Sequence, residues 1–162
     1  MEQVPKLGLK DFLTLCNGAS GVSAVFLAMA GLFYASAFFI ALAAVFDFFD
    51  GKVARSRGKE NVFGRELDSL NDVVSFAVAP VILAVMVNGD LLVLVASVFY
   101  VLCGLMRLAL FNVQREKGVY FGLPIPGAAV AAVASALVIP SLMQVALIAL
   151  GVLMVARFKI KK

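Results

Sequence analysis

Residues 47–72 read DFFDGKVARSRGKENVFGRELDSLND, and this stretch decides how the chain folds and where its chemistry lies. Asp47 and Asp50 stand three positions apart near the end of one apolar run, and Asp68 and Asp72 stand four apart near the start of the next. On a helix, each spacing places both carboxylates on one face. The connection is short enough to predict a helical hairpin in which the four carboxylates converge.

The composition of the whole chain places this hairpin in a membrane. The 162 residues are 63% hydrophobic, whereas a soluble domain is nearer to about half apolar. We therefore predict an all-α membrane protein with six transmembrane helices, forming a single domain over residues 1–162. The predicted spans are residues 12–33, 35–53, 67–87, 91–112, 124–139 and 141–158.

The basic residues orient the predicted spans. All 14 Lys and Arg residues fall on one side of an even-numbered topology, and Asp90 is the only charge on the other. The positive-inside tendency makes the basic side cytoplasmic. We expect a multi-pass cell-membrane protein with both termini in the cytoplasm and its active site at the cytoplasmic interface. Topology and contact with anionic membrane lipids account for the net charge of +4, and no soluble basic domain indicates nucleic-acid binding.

The residue types present limit the chemistry. The chain contains no His, which excludes imidazole acid–base chemistry and Ser-His or Cys-His nucleophilic catalysis. Cys16 and Cys103 lie in separate apolar runs and are expected to be free, buried thiols. Catalysis must therefore rely on carboxylates, Lys, Tyr, Cys or a metal ion.

Four aspartates within or beside membrane spans need compensation. Each costs about 2.5–3.5 kcal/mol in a span, and converging negative charges repel one another. Carboxylates without His or Cys suit hard ions such as Mg²⁺ or Mn²⁺, and paired ions about 3.5–4 Å apart assist displacement at phosphorus. We interpret the four aspartates as ligands of two divalent ions. The alternative is that they are solvated at the interface or paired with the nearby arginines.

Small residues beside the acids leave room for a substrate. Gly51, Ala54 and Gly64 would let a flat base or a pyrophosphate approach the backbone, although helix packing also uses such residues. Arg55 offers a forked donor for phosphate oxygens, with snorkelling to the headgroups as its alternative.

The whole motif, Asp-x-x-Asp-Gly-x-x-Ala-Arg, eight residues, then Gly-x-x-x-Asp-x-x-x-Asp, resembles the signature of the CDP-alcohol phosphotransferase family. That family also places the motif on helices two and three of six. Residues 67–76, 79–80, 107–109, 111–112 and 122–126 resemble its phosphatidylserine synthase branch. The chain departs from that branch at Leu110, where a second Arg is frequent, and at Gly127, where Ala is commoner.

The resemblance implies a role for each motif residue. The aspartates at 47, 50, 68 and 72 would hold two Mn²⁺ or Mg²⁺ ions, and Asp72 would also accept a proton. The residues implied to hold the CDP part of the donor are Gly51, Ala54, Arg55, Gly64, Thr14 and Asn17. For Thr14 and Asn17, hydrogen bonding between helices is an equally good interpretation.

The activity implied is transfer of a phosphatidyl or archaetidyl group from CDP-diacylglycerol or CDP-archaeol to the hydroxyl of L-serine, releasing CMP. Glycerol-3-phosphate, inositol or inositol phosphate stays open as the acceptor. The family also implies a homodimer. An ion transporter would instead place acids at the bilayer midplane in repeated halves, which this sequence does not show. A non-catalytic assembly protein is a further alternative.

Recognition of serine requires a cation for its carboxylate. Arg107, about one turn inside the fourth span, is the best candidate, although it could also snorkel to the surface. Asn71 and Asn112 are candidates for the ammonium group or the hydroxyl. The other basic candidates are Arg115, Lys117, Lys59 and Arg65.

Overall fold

The computed structural model describes residues 8–57, 62–114 and 122–156, and every regular element within these ranges is a helix. We number the helices in chain order. They are α1 (Leu9–Met29), α2 (Phe33–Arg57), α3 (Val62–Val87), α4 (Leu91–Gln114), α5 (Ile125–Val138) and α6 (Met143–Val155). A 3₁₀ turn, Pro140–Leu142, precedes α6.

Helices α1 to α4 are long and apolar enough to cross a membrane, so the chain is a multi-pass membrane protein. The described residues contain six helices, the number that the sequence predicted. However, α5 has 14 residues and α6 has 13. At about 1.5 Å per residue, each is shorter than the roughly 30 Å hydrocarbon core of a bilayer. Complete crossing by the last two helices, and the side on which the termini lie, stay predictions.

The boundaries of the helices differ from the prediction at the polar hairpin. Helix α3 begins at Val62, five positions before the predicted residue 67, and α2 continues to Arg57. The helical turns next to the connection between α2 and α3 carry charged residues, so a hydropathy pattern does not identify them as part of the apolar helices. The predicted break at 88–90 is confirmed, and there the Asp90 carboxylate accepts a hydrogen bond from the Val93 amide at 3.0 Å.

Helices α1 and α3 pack closely because glycines line their crossing. A Cβ atom at Gly21 would lie 2.7 Å from the Ser75 Cα, and one at Gly18 would overlap the Asn71 side chain. Small residues permit such approach between membrane helices. The crossing brings the start of α3, with its acids, against the start of α1.

Helix α3 is not α-helical throughout. Val73–Val78 forms a π-helical turn, at whose end the Ala79 amide donates to the Val74 carbonyl five residues back. Pro80 follows directly and has no amide hydrogen. The turn was not predicted, because Pro80 indicates a disturbed helix but does not identify the disturbance as a π-helical turn.

The segment before α5 is tied to the end of α6. The Leu123 amide donates to the Leu153 carbonyl at 3.0 Å, and Gly122 adopts a φ of +52°. A Cβ atom at Gly122 would overlap the Met154 carbonyl oxygen, so only glycine fits there. This attachment places the start of α5 beside the acidic hairpin.

Candidate active site

The acids open into a cavity where α1 to α5 meet at one end of the bundle. It has a volume of about 460 Å³ and combines charged residues with an apolar wall. The lining residues are Lys10, Asp47, Phe48, Asp50, Gly51, Asp68, Asp72, Arg107, Leu108, Phe111, Pro124, Ile125 and Pro126.

The carboxylates of the hairpin come together in this cavity, three of them closely. One oxygen from each of Asp47, Asp50 and Asp68 lies within 4.8 Å of the others. Asp72 lines the same cavity but is not part of this group of three. The helical hairpin therefore brings the two acidic pairs to a common space, with Asp72 set apart from the tight cluster.

This cluster fits a divalent cation. At a separation of 4.8 Å, two carboxylates repel by roughly 3 kcal/mol at an effective dielectric constant of about 20. All the ligand atoms are hard oxygens, which favours Mg²⁺ or Mn²⁺ over softer metals. Asp50 is almost completely buried, with 1% of its surface exposed, so water alone does not compensate its charge.

Two side chains from α1 hold the acids in place. The Thr14 hydroxyl lies 3.0 Å from Asp50 Oδ2, and Asn17 Nδ2 donates to Asp72 Oδ1 at 3.1 Å. Thr14 and Asn17 are fully buried and do not line the cavity. Their positions match the interhelical hydrogen bonding that was one of the two interpretations of these residues. The predicted contact with CDP stays a prediction.

Positive charge reaches the cavity from two helices. Lys10 extends from α1 and Arg107 from α4. Arg107 Nε is buried, and it forms no hydrogen bond within the part of the chain that the structure describes. A guanidinium in this position can donate hydrogen bonds to an anionic group of a ligand. Arg65, in contrast, lies beside Glu66, with 3.8 Å between Nε and Oε1.

Several predicted residues lie elsewhere. Gly64 packs near Asp11, and Asn71 donates to the Leu67 carbonyl at 2.8 Å while packing against Gly18. Asn112 donates to the Ser69 hydroxyl at 2.9 Å. None of the residues Gly64, Asn71 and Asn112 lines the cavity.

Gly51 does line the cavity, and a Cβ atom added there would meet nothing within 4 Å. The remaining candidates fall outside the described part of the structure. They are the side chains of Ala54 and Arg55 and the residues Lys59, Arg115 and Lys117.

Sequence reasoning did not assign Lys10 to the site, nor the apolar wall formed by Phe48, Leu108 and Phe111. Lys10 precedes Thr14 by four residues, so the helical period could have placed it on the same face. The apolar residues carry no comparable signal, because the spans are rich in such side chains. Residues 124–126 were singled out in the sequence only because the stretch 122–126 resembles the family.

Four apolar helices long enough to cross a membrane, with an acidic cavity at one end of the bundle, define a multi-pass membrane protein. Comparison with known proteins makes the class specific. The family model for CDP-alcohol phosphatidyltransferases matches residues 8–156, and the chain belongs to that family.

Its relatives include enzymes that act with serine. The chain is 37% identical over 156 residues to the CDP-diacylglycerol–serine O-phosphatidyltransferase of Methanocaldococcus jannaschii, covering 95% of this chain and 74% of the relative. It is 41% identical over 129 residues to the archaetidylserine synthase of Methanothermobacter thermautotrophicus, covering 76% and 55%. The corresponding Bacillus subtilis serine phosphatidyltransferase is 32% identical over 152 residues, covering 91% and 86%. The chain thus spans little more than half of one of these relatives.

Proposed function

We propose that this protein transfers a phosphatidyl or archaetidyl group from a CDP-activated lipid to the hydroxyl of L-serine and releases CMP. The observation that carries the proposal is the convergence of the signature aspartates in one cavity that Arg107 also lines. The names of the relatives support serine as the acceptor, since they describe serine phosphatidyltransferases and an archaetidylserine synthase.

We assign the carboxylates Asp47, Asp50, Asp68 and Asp72 to two divalent ions, Mn²⁺ or Mg²⁺. The close group of three supplies hard oxygen ligands, and Asp72 in the same cavity completes the set. When bound, such ions neutralise charge on the pyrophosphate and make a neighbouring hydroxyl more acidic.

The residues of the chain position the acceptor and its proton. In this proposal Asp72 accepts the proton of the serine hydroxyl, and Asn17 keeps that carboxylate directed through its hydrogen bond to Oδ1. Arg107 binds the carboxylate of serine, for which its guanidinium, with a buried Nε–H, is suited. Lys10 adds positive charge to the cavity and attracts the phosphates of the donor. The reaction then depends on positioning and charge stabilisation.

The donor is assigned to the side of the cavity formed by α2. Space at Gly51 allows a nucleotide to approach the backbone, and Arg55 on the same helix would contact phosphate oxygens. The lipid tails stay in the bilayer beside the apolar helices. Either diacylglycerol or archaeol tails fit this arrangement, since both are apolar chains.

The distribution of basic residues supports a proposal for the orientation of the protein in the membrane. We propose that both termini and the cavity face the cytoplasm, that residues 1–162 form one domain, and that the protein is a homodimer by analogy with its family. Labelling a single cysteine introduced at Asp90, in a Cys16→Ser, Cys103→Ser background, tests the orientation. An impermeant maleimide added outside intact cells should react at position 90, and protection there would contradict the orientation.

An acceptor assay tests the proposed reaction. Purified protein in lipid nanodiscs is incubated with a CDP-lipid, Mn²⁺ or Mg²⁺, and one alcohol at a time: L-serine, glycerol-3-phosphate, inositol or inositol phosphate. We expect release of CMP with serine and formation of the corresponding serine lipid. Release with another alcohol but not with serine would reject the assignment of the acceptor.

The same assay tests the proton acceptor. Asp72→Asn preserves the size of the side chain and leaves Asn17 beside it, but an amide cannot accept the proton of the serine hydroxyl. CMP release should therefore fall by about 10²–10⁴-fold. Ser23→Ala is a matched control on a neighbouring helix, because its hydroxyl donates to the Ala19 carbonyl of its own helix. Full activity in Asp72→Asn would remove Asp72 from the mechanism.

A further inference from the structure

The strongest unexplained feature lies directly after Asp72, where the helix changes its hydrogen-bond pattern. The π-helical turn Val73–Val78 separates the acidic start of α3 from its buried end. Phe76 and Ala77 in the turn, and Ala79, Leu83 and Ala84 after it, are completely buried, so core packing determines the rotation of the buried end. Short π-helical turns occur mostly as single insertions within α-helices and are frequent at functional sites.

The turn sets the direction in which the acids face. An α-helix rotates by about 100° per residue, and a π-helical turn accommodates one extra residue. If this turn became α-helical while the buried end kept its packing, the start of α3 would rotate by about 100°. Asp68 and Asp72 would then leave the face on which they meet Asp47 and Asp50.

One side chain from another helix stabilises the altered pattern. In an ordinary α-helix the Phe76 carbonyl would accept from the amide of residue 80, but Pro80 has none. The hydroxyl of Tyr100 on α4 donates to that carbonyl instead, at 3.1 Å. Tyr100 and Phe76 are both fully buried, so loss of this hydrogen bond would leave the Tyr100 hydroxyl or the carbonyl poorly satisfied away from water, which is costly.

A second contact holds the turn from α1. The Ser75 hydroxyl donates to the Asn17 carbonyl at 3.1 Å, and the Asn17 side chain bonds Asp72. The turn is therefore bound on two sides, by α1 through Ser75 and by α4 through Tyr100.

From these contacts we infer that Tyr100 is a positioning residue for the metal site: its hydroxyl maintains the π-helical turn that directs Asp68 and Asp72 into the cavity. Tyr100 does not line the cavity and touches no reacting group. Its effect on the reaction passes through the rotation of α3. The inference rests on the proposed function only in taking the four aspartates as metal ligands.

Binding of Mn²⁺ to the purified full chain, measured by electron paramagnetic resonance titration without substrates, tests this role. Tyr100→Phe removes only the hydroxyl, and we expect the Kd for Mn²⁺ to rise about tenfold, at the lower end of the effect of losing an outer-shell partner. Ser36→Ala is the matched control. Ser36 is also fully buried, and its hydroxyl donates to the Ala24 carbonyl at 2.8 Å, far from the acids.

A second variant separates positioning from general stability. Pro80→Ala supplies an amide that can bond the Phe76 carbonyl and favours the α-helical pattern. It should weaken Mn²⁺ binding by a similar factor without lowering the melting temperature, which a purely structural role of the turn does not predict. If Tyr100→Phe fails to fold, Pro80→Ala decides the question.

The outcomes distinguish this inference from the proposed reaction. Mn²⁺ binding as tight as in the parent, in either folded variant, overturns the inference. Equal weakening in Ser36→Ala, or a parent that binds no Mn²⁺, overturns it as well. If the parent protein binds Mn²⁺ but releases no CMP with serine, the proposed acceptor is wrong. The comparison of Mn²⁺ affinities between the parent and Tyr100→Phe still tests the positioning role of Tyr100.

Discussion

At the residue scale, the orientation of the acidic side chains depends on buried residues that do not themselves line the cavity. Asn17 is fully buried, and its Nδ2 donates to Asp72 at 3.1 Å. Its Oδ1 has no hydrogen-bond partner among the residues that the structure describes. The Asn17 side chain is therefore held at this position by Asp72, and in return it restricts the direction of that carboxylate.

We predict that Asn17→Ala lowers the rate of CMP release by about 10–100-fold, as expected for loss of a partner that orients a ligand. The physical reason is that Asp72 becomes free to rotate away from the acceptor. The rate is measured at saturating CDP-lipid and serine over a range of Mn²⁺ concentrations. A rate within about twofold of the parent would show that Asp72 needs no such support.

At the element scale, the crossing of α1 and α3 controls the geometry of the site. Gly21 lets the two helices approach so closely that the Ser75 hydroxyl reaches the Asn17 carbonyl. The same crossing brings Asn17 to Asp72 on α3, whereas Thr14 reaches Asp50 on the other neighbouring helix, α2. Packing of small residues and orientation of the acids are thus one structural feature.

We predict that Gly21→Ala destabilises the protein by about 1–3 kcal/mol, the usual cost of overpacking. A Cβ atom would lie 2.7 Å from the Ser75 Cα, and backbone atoms cannot move aside as a flexible side chain can. Thermal unfolding of the detergent-solubilised protein measures the effect.

Gly127→Ala is the control for this substitution. Gly127 lies in α5, and a Cβ atom there meets nothing within 4 Å. Replacement of a helical glycine by alanine in open space is neutral or stabilises by up to about 1 kcal/mol. Equal melting temperatures for the two variants would contradict the close packing of α1 and α3.

At the scale of the whole molecule, five helices and a loop assemble one charged cavity. The acids come from α2 and α3, while Lys10 and Arg107 come from α1 and α4. The wall at 124–126 is held in place by the attachment of Leu123 to the end of α6. Three carboxylate oxygens within 4.8 Å oppose folding unless a cation binds between them.

We therefore predict that divalent ions stabilise the folded protein. At a concentration about 100-fold above the Kd, Mn²⁺ should add about 2.7 kcal/mol by mass action and raise the melting temperature. Chelation with EDTA should reverse the shift and abolish CMP release. Asp47→Asn removes one member of the cluster and should reduce the shift, whereas a shift that persists unchanged in this variant would place the ion elsewhere.

Much of the site could be predicted from the spacing of a few residues. Because Asp47, Asp50, Asp68 and Asp72 recur at helical intervals on consecutive apolar segments, local geometry alone places each pair on one face. The helical content and the hairpin could also be predicted from local patterns in the sequence. The apolar wall was not, since Phe48 or Phe111 looks like any other residue of a membrane helix.

The primary structure by itself determined that this is a helical membrane protein with an acidic hairpin, because hydropathy and helical periodicity are local properties of the chain. Tertiary structure decided that Asn17 and Thr14 bond to acids, that Asn71 packs against Gly18 of α1 and Asn112 bonds to Ser69 of α3, and that α3 carries a π-helical turn. These features depend on contacts between helices distant along the chain. Hydrogen bonds such as that from Tyr100 to Phe76 form only when packing brings the partners together.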